Sequence, residues 1–243
     1  MKKLTLTTID KHRIAAVHYE RGAGKAVVLA HGFFNNKEVA LFDGIAQALA
    51  VEYDVFSFDF RGHGKSSGLF SWTSREGADL QAMLAYVKSL HYQSIGLVGF
   101  SLGAALSLIE AARDPDIKTV VAVSAPYDFW QIDFNFWKPG MLADLKLNLG
   151  VKGRGKGVWP GNPFEPKVAP ITIVGKIAPR PVLFVHGSED WLINVRHSRE
   201  LFRKAGEPKK LVIMEGGGHA EKLFDDHPDE FVKTILDWLK ETL

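Results

Sequence analysis

Three side chains in this sequence have the types and spacing to build a nucleophile. Gly99-Phe100-Ser101-Leu102-Gly103 follows the pattern G-x-S-x-G, in which small flanking residues let a sharp strand-to-helix turn hold a serine proud of its neighbours. A serine hydroxyl is a weak nucleophile at neutral pH, so it needs a general base, and the base needs a group to orient it. His219 closes Gly216-Gly217-Gly218-His219, and Asp190 closes His186-Gly187-Ser188-Glu189-Asp190, each after an apolar run of strand length. An acyl-transfer site also needs donors for the oxyanion. The Leu102 N–H, at the start of a helix, supplies one. The second is the Phe33 N–H in His31-Gly32-Phe33-Phe34-Asn35, with Gly32 letting the backbone approach the substrate. The five-residue serine pattern recurs by chance in roughly one chain in ten of this size, so its weight comes from the elements around it.

Those elements alternate. Val27–Ala30, Val55–Phe58, Ile95–Val98, Val120–Val123, Val182–Val185 and Leu211–Met214 are mostly continuous apolar runs, which suit parallel strands covered on both faces. Leu4–Ile9 and Ile14–Tyr19 flank Asp10-Lys11-His12-Arg13 and predict an opening antiparallel hairpin. Thr73-Ser74-Arg75-Glu76 has capping-box spacing ahead of a helix; Leu102–Ala112, Val195–Ala205 and Pro228–Leu239 read as further helices. Strand and helix in repeated alternation predict an α/β fold, a doubly wound, mostly parallel sheet of about eight strands flanked by helices. Ser101, Asp190 and His219 then each lie just past the end of a different strand, where such sheets bind ligands.

One stretch breaks the alternation. Residues 127–170 hold Phe129, Trp130, Phe134, Phe136, Trp137, Trp159 and Phe164, then the basic loop Lys152-Gly153-Arg154-Gly155-Lys156-Gly157. This predicts a small cap inserted into a core formed by residues 1–126 and 171–243, since long irregular segments inside compact domains are usually functional. Phe34, Trp130, Trp137 and Trp159 are candidates to line a substrate pocket. The basic loop reads as a solvated, mobile part of the cap, and its pattern lacks the Lys-Ser/Thr ending of a phosphate-cradling loop.

Composition narrows the rest. The chain has 243 residues, 46% hydrophobic and 24% charged, with no cysteine. It can bury a sizeable core but has no disulfide framework, thiolate nucleophile or cysteine metal site. A net charge of +2 gives no argument for nucleic acid. No apolar run approaches the roughly 20 residues of a membrane helix, and no signal-like stretch follows the first lysines. The expectation is a soluble cytoplasmic protein needing no cofactor or metal, off the membrane, with a small-molecule substrate and a cap mouth that would allow a homodimer.

Taken jointly, His31-Gly32-Phe33, Asp59-Phe60-Arg61-Gly62-His63-Gly64-Lys65-Ser66, the Ser101 turn, His186 to Asp190, and His219 make the chain similar to the α/β-hydrolase superfamily, near its serine esterase, lipase and aminopeptidase-like branches. The resemblance spans residues 31 to 219. It implies Ser101 as nucleophile, His219 as general base and then acid, Asp190 as its orienting partner, and Phe33 and Leu102 as oxyanion donors. His227 reads as a capping or surface histidine, His186 as structural, and Glu189 and Asp128 as the rivals of Asp190. Asp59 and Arg61 read as an ion pair fixing their Gly-rich loop, with His31 bracing the oxyanion loop. The expected activity is hydrolysis of carboxylic esters with small to medium or aromatic acyl groups. The rivals are the same triad acting on an amide, a thioester or a carbon–carbon bond, and a slow-turnover receptor that retains the triad.

Overall fold

Chain segments rich in β-branched and aromatic residues pair here into one eight-stranded sheet, in the order β1-β2-β4-β3-β5-β6-β7-β8. In chain order these are β1 (Lys2–Thr7), β2 (Arg13–Tyr19), β3 (Lys25–Ala30), β4 (Asp54–Phe58), β5 (Ser94–Phe100), β6 (Ile117–Val123), β7 (Val182–Gly187) and β8 (Lys209–Met214). Only the pairings of β2 with β1 and with β4 are antiparallel. The computed structural model describes residues 1–133 and 158–243. Trp137, Phe134, Phe136 and the basic loop 152–157 lie outside the described residues.

Among the described residues the helices are α1 (Ala40–Leu49), α2 (Gly77–Ser89), α3 (Leu102–Ala111), α4 (Arg196–Lys204), α5 (Lys222–Asp226) and α6 (Pro228–Thr242). Alternate strand residues feed opposite layers, as the two-residue strand period requires. Val28 and Leu97 pack with Leu84 of α2 and Leu108 of α3. Val27 and Val98 pack with Phe42 of α1 and Ile235 of α6. Register places the carboxyl ends side by side, with Ala30 opposite Gly99, Phe100 opposite Val123, and Gly187 opposite Met214. Strand order runs outward one way from β3 and the other way from β5, so a crevice opens between their carboxyl ends.

Local chemistry adjusts several boundaries. The first strand stops at Thr7 rather than Ile9, because the Thr8 hydroxyl accepts the His12 N–H at 2.9 Å and turns the chain. Helix α2 starts at Gly77, and the Glu76 carboxylate makes half of a capping box by accepting the Thr73 N–H at 2.8 Å. The expected Asp59–Arg61 pair does not form. Buried Asp59 instead accepts the Lys37 ammonium at 2.6 Å and the Lys37 and Lys65 N–H groups. The Arg61 guanidinium grips Asp79 of α2, with Nη2 at 2.7 Å from Oδ1, and reaches Asp10 of the opening hairpin at 2.6 Å. A planar fork suits two carboxylates at once better than a neighbour two residues away on the same tight turn.

Residues that follow 134–157 lie over this loop. Trp159 N–H donates to Gly62 O at 2.9 Å, and Phe70 N–H donates to Trp159 O at 2.8 Å. Farther on, Arg75 pairs with Glu165 at 2.7 Å. Among the described residues no helix is long and apolar enough to cross a membrane.

Asp79 and Arg61 are 0% and 1% exposed, so removing one charge strands the other in a dry interior. Arg61→Met is expected to lower unfolding free energy in urea titration by about 3–5 kcal/mol. Adding Asp79→Leu to that variant should restore most of the loss, since no buried charge is then left over.

Candidate functional site

Ser101 lies between β5 and α3 with φ 52° and ψ −116°, a backbone state that costs a non-glycine residue on the order of 1–3 kcal/mol. Close packing holds it there. A Cβ on Gly99 would meet Gly103 O at 2.5 Å, and one on Gly103 would meet Ala30 O at 2.2 Å. Both elbow glycines are thus required by contact with neighbouring backbone, not by turn shape alone. The Ser101 N–H donates to Val123 O at 2.8 Å, tying the turn to β6.

His219 is delivered by the loop after β8. Gly187 lets that loop cross the end of β7, because a Cβ there would lie 2.2 Å from Gly217 O. The Glu189 N–H donates to Gly217 O at 3.0 Å, and the Ala220 N–H donates to the Ser124 hydroxyl at 3.0 Å. Asp190 is 0% exposed at its side chain. It accepts the Leu192 and Ile193 N–H groups at 3.0 and 2.8 Å, which fixes its carboxylate.

The three side chains join in one hydrogen-bonded chain. His219 Nδ1 lies 2.9 and 2.8 Å from the two Asp190 oxygens, and its Nε2 lies 3.1 Å from Ser101 Oγ. A carboxylate only accepts, so Nδ1 carries the proton and Nε2 presents a lone pair to the serine hydroxyl. Burial alone would raise the Asp190 carboxyl, but the His219 charge and the hydrogen bonds from His186 and His219 outweigh it and hold the group far below the usual carboxylate range. His186, expected to be structural, supports this arrangement. Its Nε2–H points at Ile193 O at 2.7 Å and lies 3.3 Å from Asp190 Oδ2, while Nδ1 accepts the Ser198 hydroxyl at 2.6 Å. Asp128, the remote rival, is used locally and accepts the Trp130 N–H at 2.9 Å.

The loop after β3 meets the serine at close range. A Cβ on Gly32 would lie 3.1 Å from Ser101 Cβ, so the next residue's N–H is carried to the edge of the elbow. Among the described residues neither the Phe33 N–H nor the Leu102 N–H donates to a protein acceptor. His31 braces this loop as expected. The Phe60 N–H donates to its Nε2 at 3.0 Å, so Nδ1–H donates to Gly32 O at 2.6 Å. Burial pushes the imidazole down to about 4, which keeps that Nε2 lone pair available at neutral pH.

Residues that the sequence analysis passed over complete the surroundings. The Glu221 carboxyl, two positions after His219, accepts the Gly32 N–H at 3.3 Å, and burial raises it above the usual range. An aromatic wall continues outward from Phe33, whose ring lies 4.9 Å from Phe70, 4.6 Å from Trp72 and 3.9 Å from Phe34. Trp72 in turn meets Phe129 at 5.8 Å, and Phe129 meets Trp130 at 5.2 Å. Phe70, Leu102 and Phe129 form the buried part of this cluster, so the wall reaches the residue after the serine. Trp72 and Thr73 have φ of 59° and 81°, unusual for a bulky and a β-branched residue. The buried Glu76 carboxylate imposes that turn by accepting the Ser71 N–H at 2.6 Å, the Ser71 hydroxyl at 2.9 Å and the Thr73 N–H.

The pocket candidates therefore part ways. Phe34 joins the wall through Phe33. Trp130 joins it through Phe129, with its outer side exposed, and Trp191 instead stands 6.0 Å from the His219 ring. Trp159 uses its backbone to bind the loop beneath, and the residue as a whole is 66% exposed. No group of three or more acidic, histidine or cysteine side chains among the described residues could hold a metal ion.

Comparison with known proteins bears on the fold that carries these residues. The model of the alpha/beta hydrolase fold family matches residues 25–158. The uncharacterized protein YfhR of Escherichia coli is 26% identical over 226 residues, covering 89% of this chain and 70% of its own length. YqkD of Bacillus subtilis, also uncharacterized, is 27% identical over 234 residues, covering 88% and 70%. Among solved structures, the Pyrococcus furiosus esterase Pf2001 superposes with a TM-score of 0.79 at 24% identity, covering 99% of this chain and 90% of its own. The esterase RhEst1 from Rhodococcus superposes with a TM-score of 0.80 at 17% identity and covers 99% of each chain. These two likenesses speak for the fold. A family match over more than half of the chain, on a sheet of this order, makes the protein a member of the α/β-hydrolase family.

Proposed function

We propose that this protein is a serine hydrolase that cleaves carboxylic esters through an acyl-enzyme intermediate. The observation that carries the reading is the Ser101–His219–Asp190 chain, at 3.1 and 2.8 Å, with two backbone N–H groups, of Phe33 and Leu102, that have no acceptor among the described residues. Ser101 Oγ attacks the ester carbonyl while His219 Nε2 takes the hydroxyl proton. The carbonyl oxygen becomes an oxyanion held by the Phe33 and Leu102 N–H groups, which cost no reorganisation as charge develops. Collapse of the tetrahedral species breaks the bond to the alkoxy oxygen, and His219 delivers its proton to the departing alcohol. Water, deprotonated by the same nitrogen, then attacks the acyl-serine, and Ser101 leaves with the proton returned to it.

Asp190 orients the imidazole and stabilises its cationic form without taking the proton. The aromatic wall from Phe33 to Trp130 favours small to medium or aromatic acyl groups. The cap expected of residues 127–170, with Trp137 and Trp159 as further pocket candidates, belongs to the same proposal, and its residues 134–157 lie outside the described residues. The protein needs no cofactor, acts in the cytoplasm, and uses no nucleic acid or membrane partner, with a homodimer compatible with its surface.

Steady-state hydrolysis of p-nitrophenyl esters of increasing acyl length tests the assignment. Ser101→Ala should lower kcat by about 10⁴-fold or more in a protein of unchanged circular dichroism. No turnover by the folded wild type, or activity surviving the substitution, would sink the reading, and amides, thioesters and slow-release ligands would be tried next.

Asp190→Asn leaves the shape but lets the imidazole present the wrong nitrogen. It should lower kcat by roughly 10⁴-fold, measured on the best ester of that series. With Asp190 held far below the usual carboxylate range, the loss of activity in acid is assigned to His219 protonation. The acid limb of log kcat/KM against pH should fall with a slope of one, and a slope approaching two would contradict the account.

A further inference from the structure

Gly32 is the place where the aim of the Phe33 N–H is most easily lost. A Cβ there would lie 3.1 Å from Ser101 Cβ and 3.5 Å from Glu221 Oε1, so a side chain has little room. Glycine permits the close approach, but its φ and ψ are the freest of any residue. Those two dihedrals decide where the Phe33 N–H points.

Both peptide planes beside Gly32 are pinned. The Gly32 carbonyl and the Phe33 N–H share one planar trans unit and point opposite ways. His31 Nδ1–H holds that carbonyl at 2.6 Å, and so aims the Phe33 N–H. The Gly32 N–H belongs to the preceding plane, and the buried Glu221 carboxyl accepts it at 3.3 Å. With one plane fixed on each side, the glycine has no free rotation left.

Glu221 itself stands on the turn that delivers the general base. The Lys222 N–H donates to His219 O at 3.0 Å and the Leu223 N–H to Ala220 O at 3.1 Å, which closes the turn. Ala220, between His219 and Glu221, is buried with φ 50°, and its N–H is tied to the Ser124 hydroxyl. One fixed turn thus presents an imidazole to Ser101 and a carboxyl to Gly32.

We propose that Glu221 is a positioning residue that locks the Phe33 N–H in place as an oxyanion donor, in register with His219. The inference rests on the serine-esterase reading and adds to it a side chain that acts through the backbone of Gly32.

Replacing the carbonyl oxygen by sulfur tests it. The best p-nitrophenyl ester of the acyl series is compared with its thionoester, and kcat/KM is measured for wild type, Glu221→Leu and Glu221→Gln. Sulfur is larger and a weak acceptor, so it gains little from donors placed for oxygen. The leucine variant should lose about 10²-fold on the ester, the scale of one oxyanion donor. It should lose less on the thionoester, so that the ester-to-thionoester ratio falls roughly tenfold. Glutamine keeps an acceptor oxygen for the Gly32 N–H and should hold the ratio near that of wild type. The ratio does not depend on how much of a variant is folded, so a purely structural role would leave it unchanged. An unchanged ratio in Glu221→Leu, or a glutamine variant whose ratio falls as far, overturns the proposal. Should leucine prevent folding, Glu221→Ser, polar but too short to reach Gly32, is read in the same way. A wild type that turns over neither substrate would instead overturn the esterase reading, and this inference with it.

Discussion

The backbone at Ser101 is bent into a conformation that a residue with a side chain resists, and much of the surrounding structure keeps that bend from relaxing. Strand β5 enters between β3 and β6, helix α3 leaves at once, and the two elbow glycines lie against backbone carbonyls with no room for a methyl group. Such contacts are possible only where parallel strands end in register, because the carbonyls of Ala30 and Val123 must arrive at the same level as the serine. The sheet therefore acts less as a container for the site than as the vice that shapes it. A hydroxyl held in this way has already lost the freedom that a flexible serine would have to surrender on reacting.

Around the elbow, three loops supply one requirement each, and each loop is fixed by hydrogen bonds to another. The loop after β8 hangs on Ser124, the loop after β7 crosses it at Gly187, and the loop after β3 is held by His31 and Glu221. Burial raises the Glu221 carboxyl, whereas the imidazoles beside Asp190 hold that carboxyl below the usual range. Two carboxyl groups in one small region thus shift in opposite directions because their neighbours differ.

Much of this was legible in the sequence, for physical reasons that also mark where legibility stopped. Strands buried on both faces must be apolar throughout, so runs such as Val182–Val185 announced themselves, and residues just past such runs pointed to Ser101, Asp190 and His219. Helix α1 was not announced. Its buried stripe of Phe42, Ile45, Ala46 and Leu49 has helical spacing, but its start at Val39 has no side-chain cap. Partners in charge were hidden for another reason. Arg61 lies two residues from Asp59, yet its hydrogen bonds go to Asp79 and Asp10, a choice settled by where α2 and the hairpin pack. Trp72 and Glu221 were invisible as site residues because nothing in their local sequence says which side of the sheet edge they reach.

Arg61 also changes the standing of the opening hairpin. Strand β1 sits at the outer edge of the sheet, far along the strand order from β5, and by position alone it resembles trim. Yet Asp10 at its turn takes one arm of the same guanidinium whose other arm holds α2, and Ser66 and Ser67 of the Gly-rich loop accept N–H groups from β2. The first twenty residues are thus a tether on the floor beneath the aromatic wall. Shortening the chain from that end would slacken a surface built past the ends of β3 and β4, so the minimal working unit of this protein includes an edge that touches no substrate.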